Sequence, residues 1–152
     1  MSPFYTKIRE QIGTSLLMMP GVAGLIRNNM GELLLQQKSD DSWSLPAGAI
    51  EPSETPEQAI KREVLEETGY ITNKVRLCGV FGGESFRHVY PNGDQVEYLV
   101  ALYECEEVEQ VQKPSDDETK RLEFFSQNNF PKLSLPYPMA TLFPNEMENK
   151  AD

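Results

Sequence analysis

The sequence predicts an α+β fold in which a mixed sheet packs on helices. Three observations predict it. Residues 55–68 carry the strongest helix signature in the chain, with capping hydroxyls, a first-turn proline and a closing glycine. Strand-length apolar runs lie on both sides of that helix. Two turn clusters, Asn28-Asn29-Met30-Gly31 and Pro91-Asn92-Gly93-Asp94, separate such runs as hairpin connections.

Taken in order, residues 3–12 read as a short amphipathic helix with Phe4, Ile8 and Ile12 on one side and Gly13 at its end. Residues 15–26 are apolar and interrupted by Pro20-Gly21, which predicts a bent or two-part strand. A return strand over 32–37 completes a hairpin. Trp43-Ser44-Leu45-Pro46 is extended and leads to Gly48. In the helix that follows, Ser53 or Thr55 can cap, Pro56 suits the first turn and Gly69 ends it. The second half reads as strands over 74–81, 86–90, 95–104 and 122–125. Residues 104–118 hold seven acids and one base, so most of that stretch is expected to be a solvated loop. The proline-rich tail has room for short helical turns at most.

The 152 residues suit one domain spanning 1–152, large enough to bury a core without staples. Apolar residues make up 39% and charged residues 25%, the balance of a globular rather than a disordered chain. No apolar run approaches the ~20 residues that span a bilayer, so no membrane role is expected. The opening MSPFYTKIRE lacks the basic-then-apolar pattern of a secretory leader, and two cysteines are too few for a disulfide framework. A cytoplasmic location is the expectation. The net charge of −10 argues against a long nucleic-acid partner, since phosphate backbones repel an acidic surface. A small phosphate ligand remains compatible, because a divalent cation can bridge carboxylates to phosphates.

One stretch carries chemistry. At ~100° per residue, Glu63, Glu66 and Glu67 fall within an arc of about 100° on the helix. Three carboxylates on one face repel each other and call for a cation. Ala59, Ile60 and Val64 border the same arc, whereas a merely solvated acidic face should lie opposite the apolar one. Clustered hard oxygen ligands suit Mg²⁺ or Mn²⁺. Arg62 can pair with Glu54 and clamp the preceding loop to the helix. Gly48 allows a tight backbone approach, which would let its carbonyl near a metal. A charged surface helix laced by i,i+3 and i,i+4 pairs is the competing account of the same acids.

The stretch Gly48 to Tyr70 resembles the signature of the Nudix hydrolases, the MutT-like enzymes. Gly48 is followed after five residues by Glu54, and after seven more by Arg62-Glu63-Val64-Leu65-Glu66-Glu67-Thr68-Gly69-Tyr70. Tyr70 stands where the family usually has an aliphatic residue, and Ala47 where glycine is common. The resemblance implies a Nudix-type α/β/α sandwich with a mixed β-sheet and the box helix at 55–68. It also implies hydrolysis of the pyrophosphate linkage in a nucleoside diphosphate derivative. Carried over by position, Glu63, Glu66 and Glu67 would be metal ligands, helped by the Gly48 carbonyl. Glu54 and Arg62 would hold loop and helix together. Attack of a metal-activated water on phosphorus would have Glu66 or Glu67 as proton acceptor. Some members use a later loop acid instead, and Glu118 is the candidate here.

Outside that stretch, alternation over 86–90 puts Phe86, His88 and Tyr90 on one strand face, either packed there or stacking on a base. Trp43 reads as core, as do Phe124, Phe125, Cys78 and Cys105. Arg27 and Lys38 end strands near the expected entrance and are phosphate candidates, although surface solubility explains them equally well. The partner expected is a small nucleotide-type substrate such as an oxidised nucleoside triphosphate, ADP-ribose, a sugar nucleotide or a dinucleoside polyphosphate. A homodimer is among the assemblies the composition allows. Two competing functions are a nucleotide-binding regulator that has lost catalysis, against which every acid of the box is present, and a hydrolase of RNA 5′ ends, against which the chain lacks a basic strip.

Overall fold

The computed structural model describes residues 2–115 and 117–144. The elements are α1 (Pro3–Ile12), β1 (Leu17–Leu25), β2 (Leu33–Lys38), β3 (Trp43–Ser44), β4 (Ala47–Ala49), α2 (Pro56–Thr68), β5 (Tyr70–Phe81), β6 (Arg87–Val89), β7 (Gln95–Gln110), β8 (Thr119–Phe125) and α3 (Met139–Leu142). β1 is parallel to β7 and antiparallel to β4, while β5 and β6 both run antiparallel to β7, giving a five-stranded mixed sheet. A second sheet has the order β3-β2-β8. This is the α+β sandwich with a mixed sheet that the sequence predicts.

Helix α2 begins and ends where the sequence places it. Thr55 rather than Ser53 is the cap, in a reciprocal capping box with Gln58, and Gly69 closes the helix in a left-handed conformation at φ 77°. Its apolar stripe, Ala59, Ile60 and Val64, packs on Val22, Ile26, Leu34, Tyr103 and Cys105. Alternation along β1 then sends Ala23 and Leu25 into the opposite core, with Leu33, Leu35, Leu102 and the tail residues Tyr137, Leu142 and Phe143. Gly24 lets α2 come close, since a Cβ there would stand 3.0 Å from the Cys105 sulfur and 3.1 Å from Ile60.

Four expectations are corrected. Pro20 does not break β1, which runs unbroken over 17–25. Its carbonyl accepts from Ile50 at 3.0 Å and the β4 pairing begins only at Gly21, so the missing N–H lies at the end of that ladder. The turn at Asn28–Gly31 forms, but its two strands part into different sheets after the Arg27–Leu33 bridge, so no extended hairpin follows. The expected acidic loop is largely strand: β7 continues to Gln110, paired with β5 back to Tyr70. Buried Cys105 alternates with acids that find bases, Arg27 at 3.1 Å from Glu104, and Lys74 and Arg76 each 3.6 Å from Glu106. Finally, α1 is anchored by Tyr5, 4% exposed, while Phe4 is 47% exposed.

Tyr5 sits with Met19 and Val96 and donates its hydroxyl hydrogen to the Ile50 carbonyl, while Ser2 reaches Glu51 at 2.8 Å. The N-terminal helix is thereby latched to the loop before α2. Tyr5→Phe keeps the ring and loses the bond, so a stability loss of about 1 kcal/mol is expected in denaturant titration. An unchanged midpoint would show that the latch contributes nothing.

Candidate active site

The loop from Gly48 to Glu54 and the helix α2 are held together by one cation. Arg62 grips Glu54 with two bonds, Nε to Oε2 at 2.6 Å and Nη2 to Oε1 at 2.8 Å, and Nη2 also reaches the Ala49 carbonyl at 3.1 Å. The Glu51 N–H adds a bond to Glu54 at 3.0 Å. The Arg62 bonds hold the Glu54 carboxyl below the usual carboxylate range. Arg62 Nη1 then turns to Glu63 at 2.6 Å and, one helical turn on, to Glu66 at 3.4 Å. The predicted Arg62–Glu54 clamp is present, and the same guanidinium partly neutralises the acidic face.

Gly48 explains the position of Glu63. A Cβ on Gly48 would stand 2.1 Å from the Glu63 carboxyl carbon and 2.3 Å and 2.4 Å from its oxygens. The carboxylate occupies the space that any other residue would fill. The Gly48 carbonyl lies toward β1, 3.3 Å from the Cβ position of Gly21. Burial pushes the Glu63 carboxyl above its ordinary range, against the pull of Arg62.

Glu67 is 7% exposed, an unusual depth for an acid. Its Oε2 accepts from the Ala47 N–H at 2.8 Å and from Gln36 Nε2 at 3.1 Å. Burial, reinforced by the charge of Glu63, pushes its carboxyl up to about 8. Glu66 is more open, with its side chain 47% exposed. Its backbone carbonyl accepts from the Ser115 N–H at 2.9 Å, and the Gly69 carbonyl accepts from Val111 at 2.9 Å. The segment after β7 is in this way tied to the C-terminal turn of α2.

Among the described residues, no three acid, histidine or cysteine side chains converge into a ready metal cage. The donor set nonetheless fits a hard divalent cation. Glu63 and Glu67 are desolvated carboxylates on one helical face, Glu66 is adjacent, and a glycine cradle admits the first of them. Glu63 is held by Arg62 here, so loading a cation asks that ion pair to loosen.

The remaining sequence candidates scatter. Glu118 is exposed at the foot of β8, next to Thr119, whose hydroxyl donates to Gln36 at 2.8 Å. Its neighbour Asp116 lies outside the described residues. Phe86 does not share a strand face with His88 and Tyr90. It ends the 3-10 turn Glu84–Phe86 and packs with Phe81 and Tyr137 in the core, 4% exposed. His88 and Tyr90 stay exposed, edge to face at 4.5 Å, and Tyr90 shares a hydroxyl bond with Tyr98 at 2.5 Å. Trp43 packs against Phe125, with Arg121 over its ring at 5.1 Å. Arg27 is engaged by Glu104 and by the Leu142 carbonyl, a structural tie between strand and tail.

No local rule singles out Thr119 or the Ala47 N–H, which the fold gathers with Gln36 around Glu67. A signal existed for Gln36. The α2-facing positions of β2 are Leu34 and Gln36, and a polar residue at the second of two buried alternating positions asks for a buried partner.

A NUDIX domain model matches residues 17–145. An ADP-ribose pyrophosphatase of Methanocaldococcus jannaschii is 32% identical over 127 residues, 80% of this chain and 71% of that protein. An RNA pyrophosphohydrolase of Yersinia enterocolitica is 44% identical over 59 residues, 38% of this chain and 34% of that protein. The crystal structure of a MutT protein from Methanosarcina mazei superposes with a TM-score of 0.62 at 26% identity, covering 88% of this chain and 96% of that one.

Proposed function

The chain belongs to the NUDIX family, and on that premise we propose that it is a metal-dependent hydrolase cleaving the pyrophosphate linkage of a nucleoside diphosphate derivative. ADP-ribose is the first substrate to test, because the archaeal relative is named an ADP-ribose pyrophosphatase. The observation that carries the reading is the seating of Glu63 in the Gly48 cradle, one helical turn from the buried Glu67. A merely solvated acid has no reason to sit there, since burying a carboxylate carries a desolvation cost even where Arg62 pairs with it.

The residues divide the work. Glu63, Glu66 and Glu67 would hold Mg²⁺ or Mn²⁺, and the Gly48 carbonyl, which faces β1 here, would have to turn to add a further oxygen. A bound cation supplies charge neutralisation on the diphosphate and acidifies a coordinated water. Arg62 and Glu54 keep loop and helix in register, so that the three acids retain their spacing. Water attacks one phosphorus, the bridging P–O bond breaks, and the proton passes to Glu66 or Glu67. ADP-ribose would yield AMP and ribose 5-phosphate. The whole chain 1–152 serves as one domain for this purpose, acting on a small substrate without a long nucleic-acid or membrane partner. The RNA 5′-end reading has weaker support, since the likeness to RNA pyrophosphohydrolase covers 38% of the chain and the net charge is −10.

The test is a hydrolysis panel of ADP-ribose, sugar nucleotides, oxidised nucleoside triphosphates and 5′-triphosphorylated RNA, with Mg²⁺ or Mn²⁺ and with chelator. Nucleoside monophosphate release that stops on chelation is expected. No release from any member with either metal sinks the proposal. Metal alone is also expected to stabilise the fold by about 2.7 kcal/mol at a hundred times its dissociation constant, and so to raise the melting temperature, because the unfolded chain lacks the site. A melting temperature that millimolar metal and nucleotide leave unchanged counts against it.

Glu118→Gln is expected to leave turnover within about twofold if an acid on α2 takes the proton. A fall of ~10²–10⁴ in kcat with little change in KM would move the base to the β8 loop.

A further inference from the structure

We propose that Gln36 is a positioning residue that sets the orientation of the Glu67 carboxylate, and that Thr119 in turn sets Gln36. The inference rests on the reading of Glu67 as a metal ligand and goes beyond the box itself, which contains neither residue.

Gln36 is 1% exposed, on a strand whose preceding residues Leu33, Leu34 and Leu35 are all core. A buried primary amide must satisfy both ends or cost more than an apolar residue of its size. Here both ends are spoken for. Nε2 donates to Glu67 Oε2 at 3.1 Å and lies 3.4 Å from the Leu45 carbonyl. Oε1 accepts from the Thr119 hydroxyl at 2.8 Å. The amide keeps this orientation because reversal would set its oxygen against two acceptors, the Glu67 carboxylate and the Leu45 carbonyl. The Thr119 hydroxyl at the start of β8 holds the other end of the amide, which keeps Gln36 from swinging away from Glu67.

The consequence for Glu67 is geometric. Gln36 and the Ala47 N–H both converge on Oε2. Neither holds Oε1, so the pair fixes the carboxylate plane by one oxygen and leaves the other for a cation. A carboxylate held by the Ala47 N–H alone can rotate about that single bond. A ligand free to rotate must be ordered when metal arrives, and outer partners of this kind are worth ~10–100-fold in metal affinity. The three residues come from β2, β8 and α2, so they link the second sheet to the box helix. Thr119 also follows Glu118 directly, which puts the end of the 111–118 segment one residue from the chain of bonds to Glu67.

The experiment is Mn²⁺ titration of the nucleotide-free protein, followed by the electron paramagnetic resonance of unbound Mn²⁺. Gln36→Met keeps volume and loses both amide bonds, and its Mn²⁺ affinity should fall ~10–100-fold. Thr119→Val removes the hydroxyl at nearly constant shape on a partly exposed residue, and should weaken Mn²⁺ binding in the same direction by a smaller factor. Thr119→Ser restores the hydroxyl and should bind like the unaltered protein. In turnover assays the loss should sit in the metal concentration for half-maximal rate, with kcat at saturating Mn²⁺ largely recovered. Tyr5→Phe serves as the control for lost stability and should bind Mn²⁺ normally. Unaltered affinity in both Gln36→Met and Thr119→Val overturns the inference. A flat titration of the unaltered protein overturns it together with the metal reading, and is recognised because no variant is needed to see it.

Discussion

Glu67→Gln is expected to lower kcat by ~10²–10⁴ while the protein stays folded and gains thermal stability without metal. The two effects have one cause. Glu67 is buried beside Glu63, and burial followed by that charge raises its carboxyl to about 8 from an ordinary 4.5. Between those values the folded protein holds a proton that the unfolded chain has released. The resulting stability is complete below about pH 4.5 and is lost as the pH rises through about 8. Metal-free melting temperature should therefore fall from about pH 5 to about pH 8.5 in the unaltered protein and fall less in Glu67→Gln. The glutamine can still accept from Ala47, so the fold loses little. Activity near that of the unaltered protein at saturating Mg²⁺ removes Glu67 from the site. Parallel pH curves for the two proteins remove its buried proton.

Gly48→Ala is expected to cost turnover about 10²-fold or more with a small loss of stability. The added Cβ would lie 2.1 Å from the Glu63 carboxyl carbon, so one of them must move. Glu63 is the end of a flexible side chain, whereas Gly48 is fixed in the β1–β4 ladder. The carboxylate therefore swings away, and the fold accommodates the methyl group. A displacement of that size ruins the alignment of a metal ligand without unfolding anything. The variant should melt within a few degrees of the unaltered protein and bind Mn²⁺ weakly. Turnover within about threefold would show that the cradle is dispensable.

Much of the site could be read in one dimension because its signals are local. The cap at Thr55, the stop at Gly69 and the clustering of Glu63, Glu66 and Glu67 all follow from spacing along one helix. The Arg62–Glu54 clamp lies within the same short segment. The acidic stretch after residue 104 misleads for the opposite reason. Its composition is that of a solvated loop, and only pairing with β5 shows that its acids have bases opposite them. Phe86 misleads likewise, since a 3-10 turn ends the alternation one residue before β6.

The sequence by itself determined the helix that carries the acids, their common face, the loop-to-helix clamp and the family they indicate. These depend on residues a few positions apart, for which backbone geometry is known once the helix is granted. The tertiary structure alone decided why position 48 must be glycine, how deep each glutamate lies and which residues hold Glu67. Gln36 and Thr119 are 83 positions apart and meet because β2 pairs with β8. No local rule supplies that pairing: it is set by which apolar faces the two sheets and α2 bury together, and the orientation of the buried carboxylate follows from it.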